Sequence, residues 1–317
     1  MQEPAISKDT QAILLLCGRF APREAVNPLD LREYNRVVDF LQKQSLSVAD
    51  LLESSDLDWS AANIDPSRLE ALLDRSMALG LATERWSNGG LWVISRNDEI
   101  YPHRLRAHLG RSAPPLLWGV GDAEIATFSS VAIVGSRNLD DAGAQWCAEV
   151  AAECARQGLT VVSGGARGAD QIAMAAALHA CGRVTAVLAE GLGRPSVTSA
   201  YREDVLNGRL LLLSPYYPDA GFTVGNAMGR NKALYGLAEA AVIVRADEKS
   251  GGTWAGAEEE LKRETRIPLF VRADDAASGN RALIALGAQE FPAPPWSDLR
   301  GALLGQSISL EPQGSLF

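Results

Sequence analysis

Histidine and cysteine number only three and four in this chain, and neither set has the spacing of a metal site. His103, His108 and His179 form no HExxH or similar pair, and Cys17, Cys147, Cys154 and Cys181 contain no CxxC. That excludes a zinc site or a disulfide scaffold, and no cofactor is expected. Long apolar runs are also missing: none approaches the roughly 18 uncharged residues of a membrane-spanning helix. Met1 to Gln11 lacks the basic-then-apolar order of a signal peptide. The expectation is a cytoplasmic protein with no membrane partner. An excess of cations is absent too. The formal net charge of −9 removes any attraction of the whole surface to nucleic acid, so a polyanion must be held locally.

What remains is an ordinary globular balance of 47% hydrophobic and 22% charged residues, which rules out disorder as the main state. At roughly 150 residues per domain, 317 residues suggest about two domains. By segment the net charge is −5 over 1–127, −3 over 128–295 and −1 over 296–317. Thirteen of the sixteen cations of the middle segment are arginines, whose planar fork suits bidentate phosphate contacts.

Residues 1–85 read as a small helical domain. Leu29 to Gln44 has helical spacing, and Leu46 to Leu52 starts another helix with Ser47 as cap. Asp65-Pro66 opens a third, whose apolar face of Leu69, Leu72, Leu73, Met77 and Leu79 ends at Gly80. From Leu91 short strands and turns replace helix. Beyond residue 128, β-rich runs alternate with amphipathic segments: Val131–Val134, Thr160–Val162, Thr185–Leu188, Leu210–Leu213, Ala241–Val244 and Pro268–Val271. Such alternation predicts an α/β fold with a doubly wound, mainly parallel sheet over residues 86–295. The stretch 296–317 reads as a flexible tail.

In that architecture ligands bind beyond the carboxyl ends of the strands. Three small-residue turns fall there: Gly135-Ser136-Arg137, then Ser163-Gly164-Gly165-Ala166-Arg167-Gly168-Ala169-Asp170, then Ser250-Gly251-Gly252-Thr253. Glycine permits close backbone approach, and a following helix N-terminus favours an anion. No GxxxxGK[ST] occurs and the first turn lacks GxGxxG, so neither NTP hydrolysis nor dinucleotide redox chemistry is supported. A fourth element, Gly229-Arg230-Asn231-Lys232, reads as two cations at a helix start, which the helix dipole disfavours unless a phosphate partners them.

These four segments, in this order and spacing, resemble the DNA-processing protein A (DprA, or Smf) family, with its V-G-S-R turn, S-G-x-A-R-G-x-D loop, R-N-R segment and S-G-[ST] loop. The resemblance runs from Asp98, Tyr101-Pro102 and Leu105 through Pro114 to Trp118 and Gly121, and on to Gly279-Asn280 and Gly287-Ala288. It covers roughly residues 90–291. It implies an extended Rossmann-like domain that pairs as a homodimer, binds single-stranded DNA without turnover and passes it to a RecA-type recombinase. The implied phosphate-binding residues are Gly135, Ser136, Arg137, Ser163, Gly164, Gly165, Arg167, Gly168, Arg230, Asn231, Lys232, Ser250, Gly251, Gly252 and Thr253. Tyr216, Tyr217 or Trp254 would stack bases or else belong to the core, and Trp254, opening an amphipathic helix, reads as core.

The chain departs from the family at Ala169, where isoleucine is usual, at Ala173-Met174, where an A-H pair is usual, and at Ser214-Pro215-Tyr216-Tyr217-Pro218. The 22 residues after Pro295 are too few for the winged-helix domain many members carry. A divergent branch is therefore implied, for which a second role stands beside DNA processing: a regulator or antitoxin that restrains a toxin partner in a phage-defence operon. A third alternative is a nucleotide phosphoribohydrolase-like enzyme, since Gly251-Gly252-Thr253 followed by Glu258-Glu259-Glu260 partly echoes P-G-G-x-G-T-x-x-E, though with the wrong spacing. Finally, Gln313-Gly314-Ser315-Leu316-Phe317 resembles the Q-L-[SD]-L-F peptide that docks on the sliding clamp, with Gln313, Leu316 and Phe317 as the contacts; folding back onto the domain is the competing expectation.

Overall fold

The computed structural model describes residues 4–305, except 22, 54–56, 58, 60–62, 194–198 and 275–276. Its centre is one sheet of nine strands in the order β1-β2-β6-β5-β4-β3-β7-β8-β9. The strands are β1 (Trp92–Ser95), β2 (Leu116–Val120), β3 (Ser130–Val134), β4 (Thr160–Ser163), β5 (Val184–Val187), β6 (Leu210–Ser214), β7 (Ala240–Ile243), β8 (Leu269–Val271) and β9 (Gln289–Glu290). From β6 to β9 all pairings are parallel, while β1 and β2 form an antiparallel extension at one edge. Except at β9, every strand residue is buried, as expected of parallel strands covered on both faces.

Winding starts at β3. The chain moves outward through β4, β5 and β6, then returns to pair β7 on the other side of β3, so the direction reverses between β3 and β7. The connections are α6 (Asp141–Arg156), α7 (Ala169–His179), α8 (Ser199–Leu206), α9 (Val224–Leu237), α10 (Gly251–Leu261) and α11 (Ser278–Ala285). α6 and α9 carry side-chain caps, Asp140 accepting from the Gly143 amide and Thr223 from the Asn226 amide. α7 and α10 have none.

The amino-terminal segment holds α1 (Lys8–Cys17), α2 (Leu31–Lys43), α3 (Pro66–Leu73) and α4 (Ser76–Asn88). The sequence reading missed α1: its run Ala12 to Leu16 is wholly buried, so it shows no amphipathic period. Ser7 caps it, and the Ser7 and Thr10 hydroxyls donate to the Asp98 carboxylate beyond β1. Helical segment and sheet share one apolar cluster that runs from Ala12 to Leu303.

Two helix expectations are corrected. Leu46 to Leu52 forms only a 3-10 turn, Ala49–Leu52, although Ser47 and Asp50 bond each other's amides reciprocally, as in a capping box. The helix from Pro66 breaks after Leu73, and Gly80 lies inside α4 rather than ending a helix, which leaves Met77 83% exposed. No helix among the described residues is long and apolar enough to cross a membrane. α5 (His103–Leu109) lies between β1 and β2, and α12 (Leu299–Leu304) packs on α6 at the start of the stretch read as tail.

Candidate functional site

The reversal between β3 and β7 opens a cleft at the carboxyl ends of the strands, where a doubly wound sheet binds ligands. A cavity of about 380 Å³ sits there. Three loops and one helix face enclose it: Gly135 to Asn138 after β3, Ala166 and Asp170 after β4, Arg245 to Asp247 and Ser250 to Thr253 after β7, and Ala227, Met228, Arg230, Asn231, Leu234 and Tyr235 on α9.

The loops are tied to one another by main-chain bonds. The Ser136 amide donates to Arg245 O at 2.9 Å and the Ala169 amide to Ser136 O at 3.2 Å, so the loops after β3, β4 and β7 are held as a unit. Gly168 has φ +82°, and a Cβ there would lie 2.5 Å from Ser136 O, so this crossing requires glycine. Asn231 donates to Gly252 O at 3.1 Å, fixing the start of α10 against α9.

α10 opens into the cavity without a side-chain cap. Ser250 sits at its N-cap position with no capping hydrogen bond, and Ser250 to Thr253 all line the cavity. The first amides of a helix have no intrahelical acceptor and carry the positive end of its dipole, so this end favours an anion.

On the cavity wall Arg230 is buried, with its guanidinium 3.8 Å from the Asp170 carboxylate. Its Nε has no hydrogen-bond partner. Gly164 makes room for it: a Cβ at 164 would fall 1.5 Å from Arg230 Nη1. Burial raises the Asp170 carboxyl to about 6, against the pull of Arg230 and the amides of Ala166 and Gly164. A guanidinium held 3.8 Å from its carboxylate, beyond hydrogen-bond distance, can accept an anion from the cavity, the more so once the carboxyl is protonated. Arg137 is exposed at the rim, and no ion pair joins it or Arg167 to an acid among the described residues.

The sequence-based list divides accordingly. Gly135, Ser136, Arg137, Arg230, Asn231, Ser250, Gly251, Gly252 and Thr253 come together around the cavity, whereas Ser163, Gly164, Gly165, Arg167, Gly168 and Lys232 do not line it. The Ser163 hydroxyl is buried and donates to Ile133 O at 2.7 Å. Lys232 pairs with Glu259 at 3.1 Å. Arg230 is not at a helix start, since α9 begins at Val224 and places it in mid-helix; its meaning comes from burial, not from the dipole. Trp254 is buried, as read. Tyr216 and Tyr217 are half-buried, Tyr216 donating to Asn226 O at 2.7 Å. The list missed Asp170, Asn138, Arg245 and Tyr235, which line the cavity. For Asp170 the signal was present, as the last residue of its glycine loop.

None of the three glutamates of the hydrolase-like echo lines the cavity. Glu258 pairs with Lys262, Glu259 with Lys232, and Glu260 is buried against His108 at 3.0 Å while accepting from the Ile267 amide. Gln313, Leu316 and Phe317 lie outside the described residues.

Comparison with known proteins places these features in a family. The family model described as DNA recombination-mediator protein A matches residues 92–294. The DNA processing protein DprA of Streptococcus pneumoniae is 31% identical over 196 residues, 61% of this chain and 68% of that protein. Its X-ray structure superposes with a TM-score of 0.68 at 22% identity, over 90% of this chain and 94% of that one. The Protein Smf of Synechocystis is 32% identical over 165 residues; the match spans 50% of this chain but only 40% of that protein. A structure of DNA processing protein A from Helicobacter pylori, described by its single-stranded DNA binding mode, matches with a TM-score of 0.52 at 25% identity, over 67% of this chain and 94% of that one.

Proposed function

The chain belongs to the DNA recombination-mediator protein A family, and from that premise we propose that the cleft between β3 and β7 binds single-stranded DNA by its phosphates, as a holding site in DNA processing rather than a site of turnover. The observation that carries this is Arg230: a buried guanidinium on the cavity wall, its carboxylate 3.8 Å away and beyond hydrogen-bond distance, beside an uncapped helix start that opens into the same cavity. Burying such a cation unpaired costs several kcal/mol. Its one carboxylate neighbour lies 3.8 Å away, beyond hydrogen-bond distance, so a phosphate supplies an acceptor that the fold leaves missing. Arg137 at the rim, and Arg167 on the adjacent loop, extend the positive surface to neighbouring phosphates. The similarity to the Helicobacter pylori protein supports the same ligand.

The test is fluorescence anisotropy of a labelled oligothymidylate against Arg137→Ala, Arg167→Ala and the double variant over a salt series. Each lost phosphate contact lowers the slope of log K against log salt by about 0.7. The expected result is weaker binding, alike for oligonucleotides of different sequence, with a shallower slope. Folded variants that bind as the wild type does overturn the assignment. Homodimer formation and delivery to a RecA-type recombinase belong to the same proposal; light scattering and a strand-exchange assay test them.

A further inference from the structure

The carboxyl edge of the sheet continues past the cavity to β6, where the helical segment reaches it. We propose that Arg19, presented by that segment over Tyr217, forms a second phosphate subsite for the same single strand, so that the bound DNA runs from the cavity across β4 and β5 to the helical segment. The proposal rests on the cavity being the DNA site.

Three observations carry it. The first is how firmly Arg19 is placed. Gly18 ends α1 with its amide donating to Leu14 O at 2.7 Å, and a Cβ at 18 would fall 2.5 Å from that oxygen. On the other side Phe20 is buried, its ring 6.2 Å from Trp86. Arg19 thus has a fixed backbone, and its guanidinium lies over the Tyr217 ring, 5.5 Å from the centroid. A guanidinium laid on an aromatic face loses fewer rotamers when it binds a phosphate, and it can also stack on a base.

The second is continuity with the cavity. Tyr217 follows Tyr216, whose hydroxyl bonds Asn226 of α9 and closes over Gly229, next to Arg230. β6 is three strand spacings from β3, roughly 14 Å at about 4.8 Å each. That gap is crossed by a polymer and not by a mononucleotide.

The third is charge. The neighbouring arginines are already paired, Arg75 with Glu24 at 3.2 Å and Arg85 with Asp219 at 3.3 Å. Among the described residues no ion pair involves Arg19, so its charge is available.

The experiment compares the full chain carrying Arg19→Ala, Arg19→Glu, Arg19→Lys or Arg137→Ala on oligothymidylates of about 2 and about 25 nucleotides, the shorter too short to span roughly 14 Å at about 3.4 Å per stacked nucleotide, with anisotropy read over a salt series. A short strand fills the cavity alone, whereas a long one reaches both subsites. Arg137→Ala should weaken both lengths. Arg19→Ala should leave the short strand unchanged, weaken the long one roughly threefold to tenfold and lower its salt slope by about 0.7. Arg19→Glu should weaken the long strand further, and Arg19→Lys should restore part of the loss. If Arg19→Ala binds both lengths like the wild type, or loses both equally, the second subsite is overturned while the cavity assignment stands. If Arg137→Ala leaves both lengths unchanged, the cavity assignment itself falls.

Discussion

Replacing Asp170 by asparagine should make the protein a better DNA binder without loss of stability at neutral pH. The Asp170 and Arg230 side chains are 7% and 8% exposed and their charges lie 3.8 Å apart. At an effective dielectric constant of about 20 that separation is worth about 4 kcal/mol. Burial of the carboxylate costs more than that attraction and its hydrogen bonds return, as its raised pKa shows, so asparagine, which can still accept from the Ala166 amide, should leave folding at neutral pH unharmed or slightly stabilised. A phosphate on Arg230 would lie roughly 7 Å from the carboxylate, a repulsion of about 2 kcal/mol at the same dielectric. Removing it should tighten binding roughly tenfold after screening by salt. Protonation does reversibly what the substitution does permanently. Because burial raises this carboxyl to about 6, the folded protein holds a proton that the unfolded chain releases near the ordinary 3.8. The stability contributed by this group is therefore full below 3.8 and is lost as pH rises through about 6. Affinity for DNA should rise as pH falls from about 7.5 to about 5.5, and Asp170→Asn should abolish that rise. Urea denaturation and anisotropy over this pH range check both arms. A folded Asp170→Asn protein that binds no better than the wild type at neutral pH, or keeps its pH dependence, refutes the reasoning.

Gly164→Ala should displace Arg230, since the new Cβ would overlap Nη1; DNA affinity should fall at least tenfold with a loss of about 1–3 kcal/mol in denaturant unfolding. Ser163→Ala should behave in the opposite way, losing about 1 kcal/mol with the bond to Ile133 O while binding DNA as before, which separates its structural role from the phosphate role read in the sequence. The protein should show no nuclease or ATPase activity with magnesium or manganese; steady turnover by pure protein, abolished by Arg230→Met, would overturn the holding-site assignment.

The doubly wound sheet was legible because its strands are short apolar runs punctuated by glycine, and every run expected between Val131 and Val271 is a strand. The helical segment was less so. In α1 the run Ala12 to Leu16 is buried all round and leaves no period to detect, and the break at Asp74 is invisible because Leu69 to Leu79 keep an apolar rhythm across it. At the site, loop composition pointed to residues after β3 and β7 that the fold does bring to one cavity, since glycine turns at strand ends are dictated locally. It failed where burial decides. Ser163 looks like a ligand in sequence and is a core hydrogen bond in space. Arg230 was noted for a helix start it does not occupy, yet it lines the cavity for a reason no linear pattern contains.

The acidic balance of the chain explains why the proposed site works at all. Many of its cations are spent internally: Lys232 on Glu259, Arg75 on Glu24, Arg85 on Asp219, Arg245 on Asp140. Arg19, Arg137 and Arg167 have no acidic partner within ion-pair distance among the described residues, and Arg230 has one that lies 3.8 Å away, beyond hydrogen-bond distance. All four lie along the carboxyl edge of one sheet, from β6 to β7. The net charge of −9 repels a polyanion from the remaining surface, so on the proposed assignment the same acidity that weakens general attraction would confine DNA to this edge. With only about four phosphates engaged, the salt slope on single strands should be near −3, shallow for a DNA-binding protein.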